Sequence, residues 1–170
     1  ALCCPTGYDT SDLESFVPEE VLKISYGCGS PAGIGHIRSG ETVVDIGSGG
    51  GIDCFDALRR TGSSGRVIGV DMTDEMIAVA QKNAPAVAEN LGHDEVRVEF
   101  RKGLADDLPV EDGTADLVIS NCVINLAIDK PAVLDGAHAL LREGGEMYFS
   151  DIYASRRIAD ELAVDPVLYG

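Results

Sequence analysis

Cationic residues are scarce in this chain: 13 Lys and Arg stand against 29 Asp and Glu in 170 residues, a formal net charge of −16. A surface of that sign repels phosphate backbones and anionic lipid, which disfavours nucleic acid and membrane partners and makes a small molecule the expected ligand. No apolar run approaches the roughly 18 residues of a membrane-spanning helix, and no internal repeat or low-complexity tract is present. Histidine is also scarce. His36, His93 and His138 stand on a glycine link, a loop and a helix, and each reads as a surface or packing residue rather than a general base. The five cysteines, Cys3, Cys4, Cys28, Cys54 and Cys122, are odd in number and lack the regular spacing of a secreted disulfide scaffold. That pattern points to a reducing, cytoplasmic setting and to thiols that are buried, metal-binding or reactive.

What the chain does have is glycine, concentrated in one place. Thr42-Val-Val-Asp-Ile-Gly-Ser-Gly-Gly-Gly-Ile52 is followed, after one short amphipathic run, by Arg66-Val-Ile-Gly-Val-Asp71. The β-branched run at 43–46 predicts a strand, and the apolar spacing after Ile52 predicts a helix. Between them, glycines at 47, 49, 50 and 51 let backbone approach a ligand closely, and N–H groups at the start of the helix are expected to favour electron-rich or anionic groups. Asp71, closing the next strand, is placed to accept hydrogen bonds from a ribose. A dinucleotide fingerprint requires a third small residue where this chain has Ile52. The spacing Asp45-x-Gly47-x-Gly49-x-Gly51 instead resembles the first motif of class I S-adenosylmethionine-dependent methyltransferases.

From Glu41 onward, strands and helices alternate. Strands are predicted over 42–46, 66–70, 96–101, 115–120 and 146–151, and helices over 52–61, 74–91, 131–142 and, weakly, 157–163. Thr73 is the expected cap of the second of these helices, Pro85 is expected to kink or divide it, and Val133, Leu134, Ala137, Leu140 and Leu141 form the apolar stripe of the third, ending at Gly144. Such alternation implies parallel pairing and an α/β doubly wound, Rossmann-like sheet of strand order 3-2-1-4-5. Class I methyltransferases usually add two more strands. The expected organisation is therefore an arm at 1–40, carrying cysteines and a short capping helix near 18–26, and a cofactor domain at 41–170 that lacks the last two strands and is truncated at its C-terminus.

In a sheet of this order, ligands bind where the chain direction of winding reverses, between the first and fourth strands. Ser120-Asn-Cys-Val123 leaves the fourth strand there, so Cys122 is expected to face the reacting end of the cofactor, and the loop at 103–109 is expected to lie against an adenine ring. Asp53 and Asp56, in the first turn of a helix, read as dipole-stabilising; Asp106 and Asp107 read as solvated loop acids, and Cys54 as a core residue.

Tyr26-Gly-Cys-Gly-Ser-Pro31, Gly47-Ser-Gly-Gly-Gly-Ile-Asp-Cys54, Gly69-Val-Asp-Met72, Phe100-Arg-Lys-Gly103 and Ser120-Asn-Cys-Val-Ile-Asn125 together resemble the arsenite S-adenosylmethionine methyltransferase family, in order and from Cys3 to the end. The resemblance implies methyl transfer from S-adenosyl-L-methionine to trivalent arsenic held on Cys28 and Cys122, the expected catalytic residues. It implies that Cys3 and Cys4 assist by thiol exchange or as further arsenic ligands, and that a thiol reductant is a partner. The expected cofactor-binding set is Asp45, Gly47, Ser48, Gly49, Gly51, Asp71, Met72, Leu104, Ala105 and Asn121. The chemistry of softness agrees with thiols as arsenic ligands, and an arsenic lone pair makes a protein base unnecessary. Competing expectations are a methyltransferase of another small metabolite such as a quinone or sterol, a non-catalytic thiol-based metalloid-binding protein, and a nicotinamide enzyme, the last opposed by Ile52.

Overall fold

The structure, a computed structural model, describes residues 10–25 and 28–155. Three short helices open it: α1 (Thr10–Leu13), α2 (Glu19–Lys23) and α3 (Pro31–Ile34). The alternation then begins with β1 (Thr42–Ile46), α4 (Ile52–Thr61), β2 (Arg66–Asp71), α5 (Asp74–Asn90) and β3 (Val98–Lys102), and continues with β4 (Ala115–Asn121), α6 (Lys130–Leu140) and β5 (Leu141–Ser150). The five strands form one parallel sheet of order β3-β2-β1-β4-β5. The predicted helix at 157–163 lies outside the described residues, as do Cys3 and Cys4.

Strand alternation divides the core in two. Val43, Val67, Leu117 and Ile119 face α4, α5 and the arm, whereas Val44, Ile46, Ile68, Val70 and Val118 face the side covered by Ala137 and Leu140 of α6. Parallel strands buried on both faces read as near-continuous β-branched runs. The arm contributes Leu13, Phe16, Val17 and Val21 to the first of these clusters, all buried.

α4 has the simplest local logic. Gly51 opens it at a φ of 94° and Gly62 closes it at 68°. Asp53 in the first turn and Arg59 and Arg60 in the last complement the helix dipole.

Several local expectations are corrected by packing. α5 is one helix through Pro85, so the expectation of a division there is corrected. The ring removes one backbone donor, but the buried face of Ile77, Ala80, Ala84, Val87 and Ala88 keeps the chain in one helix. Thr73 precedes α5 without capping it by its side chain; its own N–H is instead taken by Asp71 Oδ1 at 2.9 Å. α6 ends at Leu140 rather than running to 142, and Leu141 already pairs with Ala115 as the first residue of β5. Leu134 is exposed, because Val133, Ala137 and Leu140 suffice to cover the sheet. β3 starts at Val98, leaving Val96 exposed.

Candidate functional site

At the carboxyl ends of β1 and β4, where winding changes direction, Asp45 pairs with Ile119 and Ile46 with Ser120. The chain leaving β1 turns at once. Gly47 adopts a φ of 78°, and a Cβ there would lie 2.2 Å from Val123, so only glycine allows the loops after β1 and β4 to meet.

Four of the loop's amides are spent within the protein. Gly47 and Ser48 both donate to Val70 O, at 2.8 and 3.0 Å, and Gly51 donates to Ser48 O at 2.9 Å. Gly49 donates to Asp71 Oδ2 at 2.8 Å. Three of these four donors hold the loop against β2, and the Gly51 N–H closes the turn on itself.

Carboxylates surround it as well. Asp45 is buried under the loop, Asp53 is buried at the start of α4, and Asp71 lies half-buried at the end of β2. Burial, and then the charges of Asp53 and Asp71, push the Asp45 carboxyl well above its usual range; the Cys54 thiol, donating to Asp45 Oδ2 at 3.3 Å, only partly offsets this. Burial foremost, with Asp45 beside it, raises the Cys54 thiol in turn. An acidic loop of this kind disfavours a pyrophosphate and suits a cation.

Two cavities flank the loop and meet at Gly47 and Val123, which line both. The larger, about 460 Å³, is bounded by Asp71, Met72, Gly103, Leu104, Ala105 and Asp106 on one side and by Leu126 and Ile128 on the other. This volume is within the range of small-molecule sites. Both oxygens of Asp71 already accept a backbone N–H, yet a carboxylate has about four acceptor sites, so capacity remains for hydroxyl donors. The smaller, about 190 Å³, is bounded by Ile24 and Ser25 of the arm, by Ser48, Gly49 and Asp53, and by Asn121 and Cys122.

Cys28 and Cys122, 94 residues apart, come together beside the smaller cavity with Cα atoms 5.8 Å apart and their sulfurs bonded as a disulfide. Cys122 has a left-handed φ of 58°, the only positive φ among described residues other than glycine, and its N–H donates to Ser150 O at 2.8 Å. The neighbouring Asn121 side chain crosses to the arm: Oδ1 accepts the Cys28 N–H at 3.0 Å, and Nδ2 donates to Gly29 O at 2.8 Å and to Asp53 Oδ2 at 3.0 Å.

The expected cofactor residues thus fall into two groups. Gly47, Asp71, Met72, Leu104 and Ala105 border the larger cavity, and Ser48, Gly49 and Asn121 the smaller. Asp45 borders neither, because it lies beneath the loop. Gly51 turns inward instead, where a Cβ would strike Phe100 at 2.8 Å. The Ser48 hydroxyl is buried without a hydrogen-bond partner, against Gly69. Two acids read as dipole partners have further roles. Asp56 is buried in ion pairs with Arg59 and Arg60 at 2.7 and 2.9 Å, and Asp53 belongs to the site. The signal for Asp53 was its place two residues past the last loop glycine, where a side chain returns toward the crevice. No group of three or more His, Cys, Asp and Glu among the described residues is arranged to hold a metal ion. His36 and His138 are exposed.

Sheet order, glycine turn and crevice define a Rossmann-like domain of the class I methyltransferase type. The chain belongs to the Methyltransferase domain family, whose profile matches residues 37–169. It is 48% identical over 163 residues to an arsenite methyltransferase of Aquipseudomonas alcaligenes, an alignment covering 93% of this chain and 45% of that protein. It is 38% identical over 157 residues to the arsenite methyltransferase of Homo sapiens, covering 91% and 41%. Among solved structures it is similar to CrArsM, an arsenic (III) S-adenosylmethionine methyltransferase from Chlamydomonas reinhardtii, with a TM-score of 0.88 and 39% identity over 96% of this chain and 55% of that one. The chain spans less than half the length of the two arsenite methyltransferases.

Proposed function

We propose that this chain methylates trivalent arsenic held on Cys28 and Cys122, with S-adenosyl-L-methionine as the donor. The observation that carries the reading is the convergence of these two cysteines, 94 residues apart in sequence, on a cavity that adjoins the glycine turn. The relatives named above support the substrate, and the acidic loop supports a cationic donor.

When bound, S-adenosyl-L-methionine supplies an electrophilic sulfonium methyl group. Asp71 would hold its ribose, the wall of Met72, Leu104 and Ala105 its adenine, and the acids about Gly49 its positively charged end. The protein's own task begins with reduction. A small thiol reductant opens the Cys28–Cys122 disulfide and leaves as its own disulfide, giving two protein thiols. These displace two hydroxides from arsenous acid, forming two arsenic–sulfur bonds and releasing two waters. Cys3 and Cys4 are the proposed source of further arsenic ligands. Arsenic on thiolates keeps its lone pair, so no residue has to remove a proton from the nucleophile. Ile24 and Ser25 cover the smaller cavity from the arm and restrict water, and the loops that Gly47 brings into contact fix the spacing of donor and acceptor, an effect worth several kcal/mol in rate.

The test is formation of S-adenosylhomocysteine that depends on arsenite and a thiol. Cys28→Ser and Cys122→Ser are each expected to lower it at least 100-fold. Rates unchanged in both variants would overturn the reading, and arsenite binding without any binding of the donor would reassign the chain as a metalloid-binding protein.

A further inference from the structure

We infer that Asn121 is a positioning residue for the Cys28 thiol rather than a contact for the methyl donor. Cys122 is placed by the sheet. It follows directly on β4, and its N–H is held by Ser150 O within a register that pairs Asn121 with Ser150. Cys28 lies on the arm, outside any helix or strand. Its backbone is reached by the Asn121 amide, which accepts the Cys28 N–H and donates to the carbonyl of Gly29. One side chain thereby fixes both sides of the peptide linking Cys28 to Gly29 from the residue immediately before Cys122.

The first two bonds decide the orientation of that amide, because a backbone N–H only donates and a carbonyl only accepts. Nδ2 therefore faces Gly29 O and Oδ1 faces the Cys28 N–H, and Nδ2 gives its second proton to Asp53 Oδ2. Aspartate at 121 would set two carboxylates against each other; a longer side chain would push the arm away. The space is tight on the far side also: a Cβ on Gly29 would lie 2.3 Å from Ser150 Oγ. Cys28 is thus held between β4 and β5, and the two sulfurs meet at a high effective concentration. Any ligand or reaction that needs both thiols draws on this arrangement, whether arsenic bridging or disulfide exchange.

The decisive measurement is the exchange equilibrium of the Cys28–Cys122 disulfide with glutathione, read by mass spectrometry of the linked peptide in the whole chain. One protein disulfide plus two glutathione molecules gives two protein thiols plus one glutathione disulfide, and the equilibrium constant reports the effective concentration of the pair. Asn121→Ala is expected to lower that concentration at least tenfold while leaving the dissociation constant for S-adenosyl-L-methionine within twofold. An unchanged equilibrium in a folded variant overturns the inference; so does a tenfold loss of donor affinity with the equilibrium unchanged, which would return Asn121 to the cofactor. Should Asn121→Ala fail to fold, Asn121→Asp is expected to weaken the pair and the added change Asp53→Asn to restore it at least threefold, by giving position 53 a donor for the new carboxylate. No restoration would overturn the inference. A matching rise in the Michaelis constant for arsenite is also expected and rests on the proposed function; the glutathione equilibrium does not, so failure of the arsenite reading leaves this test intact.

Discussion

Asp45 is an acid held under electrostatic tension by burial and by its neighbours. Unfolded, an aspartate ionises near pH 4; folded, burial and the charges of Asp53 and Asp71 make Asp45 hold its proton to a higher pH. Above about pH 4 the native state therefore binds more protons than the unfolded one, and stability from this group falls as pH rises through the raised value. Asp45→Asn removes that dependence. Its melting temperature is expected to match the wild type near pH 3.5 and to exceed it by several degrees at pH 7.5, while affinity for S-adenosyl-L-methionine falls with the loss of a carboxylate beneath the loop. Thermal melts at the two pH values and calorimetry with the donor check this; an equal shift at both pH values would contradict it. Stability lost to place charge near a ligand is a common feature of binding sites. The sequence showed that an acid precedes the loop, but burial and the thiol at 54 could be known only after β1 and α4 were packed together.

At the scale of elements, the arm is tied to the domain by apolar burial and a few polar contacts. Phe16 is buried among the residues of the first core cluster, its carbonyl accepts from Asn90 Nδ2 at 3.1 Å, and Arg59 lies 5.6 Å above its ring. Lys82 and Glu20 add an exposed pair at 2.7 Å, which contributes about 0–1 kcal/mol. Burial governs the docking, so Phe16→Ala is expected to cost about 3–5 kcal/mol and Glu20→Ala much less. Denaturant unfolding measures both, and limited proteolysis before residue 40 should quicken only in the first. The sequence made the strands and long helices legible because each carries its own periodic pattern. It allowed Pro85 to divide the helix and read Leu141 as helical, since local propensity does not register the sheet surface against which α5 is held or the partner Ala115 that draws Leu141 into β5.

For the whole molecule, the redox state of one pair links the arm to the sheet. Closing a loop of 94 residues restricts the unfolded chain by as much as about 4–5 kcal/mol in the chain-entropy description. At roughly 2–4 °C per kcal/mol for a chain of this size, reduction is expected to lower the melting temperature by about 10 °C. If arsenic bridges the same two sulfurs, arsenite added to the reduced protein, freed of reductant, should recover much of that loss. Cys28→Ser should show neither the redox effect nor the recovery. A stabilisation by arsenite that persists in Cys28→Ser would place the metalloid elsewhere.

The amino-acid sequence alone determined the order of strands and helices, the glycine turn, the acid at 71 and the unsuitability of Ile52 for a dinucleotide, because each depends on residues within a few positions of one another. Tertiary structure decided that four of the turn's N–H groups are used internally, that Asp53 and Asn121 belong to one hydrogen-bonded cluster, and that Cys28 meets Cys122. The last two facts depend on contacts 68 to 94 residues apart. No local pattern encodes such contacts; they follow from burying both faces of one sheet, which brings the ends of its strands to a common edge and lays the arm across them.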